Sequence, residues 1–242
     1  MSEQATYITI NSADRNSATS TGSHDFEVKL ADYLVGKFEI SQCIIMNTFY
    51  NINAYNNSLT FNDGADRTVT VTAGAYTGSA LASALQTAMN ASGTALTFAV
   101  SIGSTSNKMT ISAGSAFVLK FATFTTNSIA KYIGFNASDT SSATSQVGSN
   151  VVDLAYPRMC FVEINNIHNV VSTTGVMGSL VFPIVANSTD ASQYISNSVC
   201  PMYVEFPTKV STLQVKLRDD RNQPLNLNGS DWWLTLRRVP RN

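Results

Sequence analysis

A period-two alternation of apolar and polar residues is the feature that most constrains how this 242-residue chain can fold. Residues 26–30 read Phe-Glu-Val-Lys-Leu, and residues 38–46 begin by alternating and end as a continuous apolar run. Alternation is typical of a β-strand with one buried face, whereas a continuous apolar run indicates that both faces are covered. The pattern therefore predicts an all-β fold.

The same pattern recurs in short segments separated by Gly, Asn, Asp and Pro. The further strand candidates are residues 7–10, 59–62, 68–72, 96–101, 108–112, 117–121, 151–155, 159–164, 179–185, 202–206, 213–217, 225–227 and 233–237. Residues 79–91 instead place Leu81, Leu85 and Met89 at helical spacing, which predicts a helix. A shorter helical turn is expected at residues 127–132.

The strand and helix candidates divide the chain into three parts. Residues 54–147 are almost free of charge, combine strands with the helix, and end in a polar stretch at 136–150 that is typical of a linker. The flanking parts, residues 1–53 and 148–242, together offer about eight strands, the number in a jelly roll. We therefore expect one jelly-roll β-sandwich with an inserted small α+β domain. Two sandwiches in series are the alternative.

Charge is scarce, because only 13% of the residues are charged and the net charge is −1. Disorder requires low hydrophobicity and high net charge, so this class is excluded. Heptads typical of a coiled coil and an apolar run long enough for a membrane span are both missing from the sequence. A weakly charged surface rich in Ser, Thr and Asn suits a protein packed against neighbours. A secreted or lattice-forming β-protein of the same composition is the alternative.

The remaining charge lies mainly at the two ends. Residues 1–49 carry an excess of acidic groups, and residues 201–242 carry an excess of basic groups. Arg237, Arg238 and Arg241 form a basic end. An ion-pair role with an acidic partner is favoured over nucleic-acid binding, because three arginines neutralise few phosphates. We expect these arginines to face the inside of an assembly or an adjacent subunit.

Adjacent tryptophans, Trp232 and Trp233, stand in the last strand candidate. Successive side chains of a strand point to opposite faces of a sheet. At least one of the two must therefore leave the core of its own chain or lie under a partner. Together with Arg237, Arg238 and Arg241, the pair forms the candidate subunit interface.

Signals of catalysis, metal binding and cofactor binding are weak. His24 and His168 lie far apart in the sequence, and no phosphate-binding loop and no nucleophile elbow occur. The carboxylate pair Asp219-Asp220 lies at a turn between arginines, which favours a solvated turn with local ion pairs. We expect no enzyme activity, no cofactor and no bound metal.

Three cysteines without paired spacing, at positions 43, 160 and 200, indicate free thiols. The first residues show no basic region followed by an apolar core, so no signal peptide is expected. These features predict synthesis in the cytoplasm or nucleus of a cell rather than secretion.

The order of several short motifs resembles the minor capsid, or penton, proteins of virophages, polinton-like viruses and related large DNA viruses. The residues that carry the resemblance are Ser12-Ala13-Asp14-Arg15-Asn16, Phe26-Glu27-Val28-Lys29-Leu30, Asn47-Thr48-Phe49-Tyr50-Asn51-Ile52, Ala73-Gly74-Ala75-Tyr76-Thr77, Tyr132-Ile133-Gly134-Phe135, Val215-Lys216-Leu217-Arg218-Asp219 and Leu227-Asn228-Gly229-Ser230-Asp231-Trp232. They are spread over most of the chain.

The resemblance implies a jelly roll that forms homopentamers at the fivefold vertices of an icosahedral capsid. There it would pack against trimers of a double jelly-roll major capsid protein, as a virion component without enzymatic activity. A cementing protein elsewhere in the shell is an alternative. So is a glycan- or receptor-binding module on a virus or phage particle, which would contact a host surface through the inserted domain.

Overall fold

The computed structural model describes residues 7–173, 175, 177–184, 191–196 and 201–240, and these residues form two compact units. One, the terminal unit, comprises the described residues within 1–49 and 157–242, and the other, the middle unit, comprises residues 50–156. The middle unit extends beyond the segment 54–147 at both ends. That this segment is a domain in its own right stays a prediction.

The terminal unit is built almost entirely of strands. They are β1 (Tyr7–Asn11), β2 (Asp25–Met46), β8 (Met159–Ile164), β9 (Val170–Val171), β10 (Met177–Gly178), β11 (Leu180–Pro183), β12 (Ala191–Ile195), β13 (Tyr203–Asp219) and β14 (Trp232–Arg238). A 3-10 turn, Ser12–Asp14, follows β1. The middle unit contains β3 (Ser58–Asn62), β4 (Asp66–Thr70), β5 (Phe98–Ile102), β6 (Met109–Leu119), β7 (Ala143–Val147) and the helix α1 (Gly78–Asn90).

An antiparallel sheet of seven strands dominates the terminal unit, with the order β1-β14-β2-β13-β8-β11 and with β12 also paired to β2. The first strand of the chain therefore lies beside the last, with Tyr7 opposite Arg237 and Asn11 opposite Trp233. The short strands β9 and β10 form a separate antiparallel pair.

Two long strands make this sheet curl. β2 joins the candidates 26–30 and 38–46, and β13 joins 202–206 and 213–217. Their pairing shifts register twice, between Phe206 and Val210 and between Val210 and Thr212. Such β-bulges bend the strand that carries them. The resulting curled antiparallel sheet is jelly-roll-like, which confirms the all-β class.

Each unit encloses its own hydrophobic core. In the terminal unit, Trp232 meets Phe26 edge to face with ring centroids 5.7 Å apart, and Phe38 meets Phe206 in the same way at 5.8 Å. In the middle unit, Phe98 contacts both Phe61 and Phe117. The alternation read from the sequence therefore supplies the inward faces of both cores.

The middle unit combines a five-stranded sheet with one helix. Its strands are β3 (Ser58–Asn62), β4 (Asp66–Thr70), β5 (Phe98–Ile102), β6 (Met109–Leu119) and β7 (Ala143–Val147), in the order β4-β3-β6-β5 with β7 also paired to β6. The helix α1, Gly78–Asn90, buries Leu81, Leu85 and Met89, as the spacing predicted. The Thr77 hydroxyl caps it by accepting a hydrogen bond from the Ala80 N–H.

Several sequence expectations are wrong in detail. The stretch 136–150 is not only a linker, since it contains β7. Residues 151–155 and 225–227 are not strands. Residues 108–112 and 117–121 are parts of one strand, β6, apart from their outermost positions. Residue 185 of the candidate 179–185 lies outside the described residues.

Candidate assembly surface

The two tryptophans of β14 point to opposite sides of the sheet. Trp232 is 1% exposed, and its indole Nε1 donates a hydrogen bond to the Ser23 carbonyl at 2.6 Å. Trp233 is 38% exposed and lies between Asn11 of β1 and Ile44 of β2. Trp232 therefore stabilises its own core, and Trp233 is the one that a partner can reach.

Trp233 belongs to an exposed face made by two neighbouring strands. The side chains that alternate outward, here called the outer face, are Tyr7, Thr9 and Asn11 of β1 with Trp233, Thr235 and Arg237 of β14. An exposed aromatic residue beside an arginine is a composition enriched at protein interfaces. The structure thus brings two of the candidate interface residues, Trp233 and Arg237, onto one surface.

The charge of Arg237 is used within the chain, because its guanidinium forms an ion pair with Glu39 of β2. Burial opposes ionisation of Glu39, but hydrogen bonds from Ser196 and Arg237 outweigh it and lower the pKa of this carboxyl below its usual value. In return, hydrogen bonds to Glu39 and Tyr7 raise the pKa of Arg237. This arginine stays protonated and is held against its own sheet.

A second ion pair also joins the acidic and basic ends of the same chain. Arg15 Nη1 lies 2.7 Å from Asp231 Oδ1, and the Ser12 hydroxyl donates a hydrogen bond to the same oxygen. Both ion pairs follow from the position of β14 between β1 and β2. Of the two, only the Glu39–Arg237 pair compensates part of the charge excess of the two ends, because Arg15 is a basic residue of the acidic end and Asp231 an acidic residue of the basic end.

Arg238 stands apart from Arg237, because it alternates to the other side of β14 and lines a groove of about 620 Å³. Every residue of β1, Tyr7–Asn11, lines this groove, as does every residue from 28 to 35 of β2. Its floor is apolar, since Ile10, Leu34 and Phe38 are buried. Arg241 lies outside the described residues.

The rim of the groove carries charges of both signs. Asp14 and Asp32 supply acidic groups, and Lys29 and Arg238 supply basic groups. Tyr7 and Tyr33 are exposed at the rim, and Lys209 Nζ lies 4.1 Å from the centroid of the Tyr33 ring. Sequence reasoning identified β1 as a strand but missed the groove, because a strand pattern does not say which strand lies at the edge of a sheet.

The turn after β13 differs from the solvated turn expected at Asp219-Asp220. Asp219 is 1% exposed, and its Oδ1 accepts hydrogen bonds from the backbone N–H groups of Arg221 and Gln223, each at 2.8 Å. Its Oδ2 is buried and has no hydrogen-bond partner among the described residues. Arg218, expected to pair locally, reaches Glu163 instead, at 3.4 Å. Burial raises the pKa of Asp219 to about 6.

Features that suggest chemistry are few in the part of the chain that the structure describes. No group of three or more His, Cys, Asp or Glu side chains there is placed to hold a metal ion. Cys43 and Cys160 are free thiols buried in the core, and burial raises the pKa of both. None of the described helices has the length and apolar character needed to cross a membrane.

Comparison with known proteins gives structural likeness only. No family model and no curated protein match the chain. Among solved structures, the chain is similar to the mavirus penton protein, with 9% identity, a TM-score of 0.49, and coverage of 97% of this chain and 99% of that one. It is also similar to a chain in the cryo-EM structure of the Sputnik virophage, with 11% identity, a TM-score of 0.39, and coverage of 97% of each chain.

Proposed function

We propose that the chain is a structural protein of a virus capsid, namely the penton at the fivefold vertices. In this proposal five copies surround the axis and pack against trimers of a double jelly-roll major capsid protein. The chain acts as part of the virion and catalyses no reaction. Each copy makes a head-to-tail contact with the next, and such contacts close into a ring when the rotation between copies is a fifth of a turn.

The observation that carries the proposal is how the terminal unit is assembled. Its jelly-roll-like sheet takes strands from both ends of the chain, and the middle unit is a long excursion between β2 and β8. A jelly roll interrupted by an inserted domain is what the sequence resemblance to penton proteins implies. The pattern of motifs and the order of strands thus support the same function.

The outer face supplies the contact between copies in this proposal. Trp233 is its exposed aromatic anchor, and tryptophan is among the residues whose truncation costs most at protein interfaces. Trp232 serves the core and contributes by holding β14 in place. Arg237 is fixed by Glu39 at the same face, whereas Arg238 and Arg241 are proposed to meet an acidic surface of a neighbour.

Mass photometry of the purified full chain tests the ring directly. We expect a species of five copies, and Trp233→Ala is expected to raise the concentration of half-assembly about tenfold or more, equivalent to at least about 1.4 kcal/mol. Tyr55→Ala, which removes an exposed aromatic side chain in the middle unit, is the matched control and is expected to assemble normally.

A density map of the particle vertex tests the capsid role itself. The terminal unit is expected to fit the vertex density with fivefold symmetry. Vertex density that belongs to another protein contradicts the role of penton. So does a purified chain that remains monomeric both alone and with the major capsid protein.

A further inference from the structure

We propose that the outer edge of β1, together with the groove beside it, is a contact with a second copy of this chain, made by pairing of strand edges. The proposal deepens the proposed function and rests on it, since it names a surface through which copies of a capsid protein meet. It concerns the backbone edge of β1, which is distinct from the side chains of the outer face.

The position of β1 leaves one of its two edges without backbone hydrogen bonds to a described neighbouring strand. β1 is the terminal strand of the sheet and pairs with β14 alone, and no other described strand pairs with it. A strand at the edge of a sheet presents a row of backbone N–H and C=O groups that another strand can join. β1 therefore presents five consecutive residues for such pairing.

A second open edge faces the same groove. β14 pairs with β2 only from Phe38 to Ile45. On that side of β2, residues 28–35 have no partner strand among the described residues. β13, by contrast, pairs with Val28 and Leu34 from the other side. The groove is therefore bordered by strand edges on both sides.

The lining of the groove indicates that strand edges border it. Only every second residue of a strand points to a given face of a sheet. Here consecutive residues line the cavity on both sides, Tyr7–Asn11 on β1 and 28–35 on β2. Lining by consecutive residues means that backbone is exposed, and exposed strand backbone is complementary to another strand.

β1 also lacks the devices with which proteins protect a sheet edge. Such devices are lysines, prolines, inward-pointing charges and bulges. The sequence of β1 is Tyr-Ile-Thr-Ile-Asn, with no charged residue and no proline, and its register with β14 is regular. An unprotected edge of β-branched and aromatic residues is an aggregation site unless a partner covers it. We therefore expect a partner strand to cover this edge of β1 in the assembled protein.

The charges around the groove select a second copy as the occupant. The rim holds two acidic groups, Asp14 and Asp32, and two basic groups, Lys29 and Arg238. Asp14 follows β1 and Arg238 lies on the neighbouring β14, whereas Lys29 and Asp32 lie on β2. In a head-to-tail contact, the first pair of one copy can therefore meet the second pair of the next copy with each charge beside an opposite one. A strongly acidic or basic partner would instead meet like charges at half of these positions.

Amide hydrogen exchange of the unmodified full chain tests the pairing. Exchange is followed by mass spectrometry in dilute and concentrated solution, and mass photometry defines the oligomeric state of each. We expect peptides that contain residues 7–11 and 28–35 to exchange at least about tenfold more slowly in the assembled protein. Peptides from the helix α1 of the middle unit serve as the internal reference and are expected to exchange equally in both.

One variant blocks the edge without touching the core or the outer face. Ala31→Arg adds bulk and charge to the exposed rim on β2. It is expected to raise the concentration of half-assembly at least about tenfold. Ala99→Arg, at an exposed alanine of β5 in the middle unit, is the matched control and is expected to assemble as the unmodified chain does.

The outcomes separate this proposal from the capsid role. Assembled protein whose residues 7–11 exchange as fast as in the monomer overturns the edge pairing and leaves the ring standing. A chain that stays monomeric at every concentration, or that shows protection only with a different protein, overturns the choice of a second copy. In either case the vertex map decides the capsid role independently. An Ala31→Arg variant that assembles like Ala99→Arg also overturns the proposal.

Discussion

Both units of this chain pack antiparallel strands around a core, but they do so over different distances in sequence. The terminal unit joins residues far apart in the chain, and the middle unit joins residues close together. In the terminal unit Ser12 and Asp231 form a hydrogen bond although they are 219 positions apart. In the middle unit Thr60 and Thr68 share one across the β3–β4 pair, only eight positions apart. A contact between distant residues forms only after a long loop has closed, and loop closure costs conformational entropy before the contact contributes any stability. Folds rich in such contacts therefore form slowly. The comparison indicates a middle unit that forms from local pairing and a terminal unit that forms last.

Truncation of one core ring in each unit is expected to give the largest effects. Trp232→Ala removes the most voluminous fully buried side chain of the terminal unit, and Phe98→Ala removes a ring that contacts two others in the middle unit. Each is expected to cost about 3–5 kcal/mol of unfolding free energy. Hydrogen exchange of the full chain measures where the loss occurs. We expect protection to fall in the unit that carries the substitution and to persist in the other.

Trp233→Ala, which truncates the exposed neighbour of Trp232, is the control for the first variant and is expected to change the stability of the monomer by less than about 1 kcal/mol. Equal loss of protection in both units after either core truncation would show that the two unfold as one cooperative body. That result would contradict the inference that the middle unit forms by itself from short-range pairing.

Asp219 gives the terminal unit a pH dependence opposite in sign to the one that Asp63 gives the middle unit, where a hydrogen bond from Thr94 lowers the pKa of the carboxyl. Its pKa rises from 3.8 to about 6 in the folded protein, chiefly because burial disfavours the charged form. The folded state therefore holds the proton more tightly than the unfolded state. Stability is expected to fall as pH rises from about 4 to about 6, by about 3 kcal/mol in total, since one pKa unit corresponds to about 1.4 kcal/mol.

Asp219→Asn is expected to remove this dependence while keeping the oxygen that accepts hydrogen bonds from Arg221 and Gln223. Urea unfolding between pH 4 and pH 8, followed by tryptophan fluorescence, measures it. An unchanged slope in the variant would assign the pH dependence to another group. Asp153→Asn, at a carboxyl of the middle unit, is the control and is expected to leave the slope in place.

The cap of helix α1 gives the smallest expected effect and tests the middle unit alone. Thr77→Ala removes the hydroxyl that accepts the Ala80 N–H, which is expected to cost about 1 kcal/mol. Hydrogen exchange of peptides from the helix measures the loss, and Thr77→Ser, which keeps a hydroxyl, is expected to restore most of it. A uniform loss across both units would contradict a local effect.

The sequence predicts where the strands and the helix of this fold lie better than it predicts which strands pair with each other. Periodicity identified the helix and most strands, because their inward positions are apolar. β7 escaped detection because its buried position is occupied by Gln146, whose amide donates hydrogen bonds to the carbonyls of Phe117 and Ser141. A polar residue that satisfies its own hydrogen bonds in the interior leaves no apolar signal.

The candidate surface was predictable in part for the same reason. Alternation along a strand predicts that Trp232 and Trp233 point to opposite faces of the sheet, but it does not show which of the two is buried. The partner of Arg237 depends on β14 lying beside β2, and pairing between strands so far apart in sequence leaves no trace in either segment. Burial of Asp219 likewise depends on how the turn after β13 folds back, with the Asp219 N–H donating to the Gln223 carbonyl.

The place of β14 between β1 and β2 has a consequence for synthesis of the chain. The ribosome releases β1 and β2 first, yet β14 is the strand that joins them, and translation of the intervening residues at about 5–20 per second takes on the order of ten seconds or more. During that interval the middle unit can already fold, while the first two strands wait without their common neighbour. The complete sheet therefore exists only after translation has reached β14, and an interrupted chain lacks the strand that joins β1 to β2.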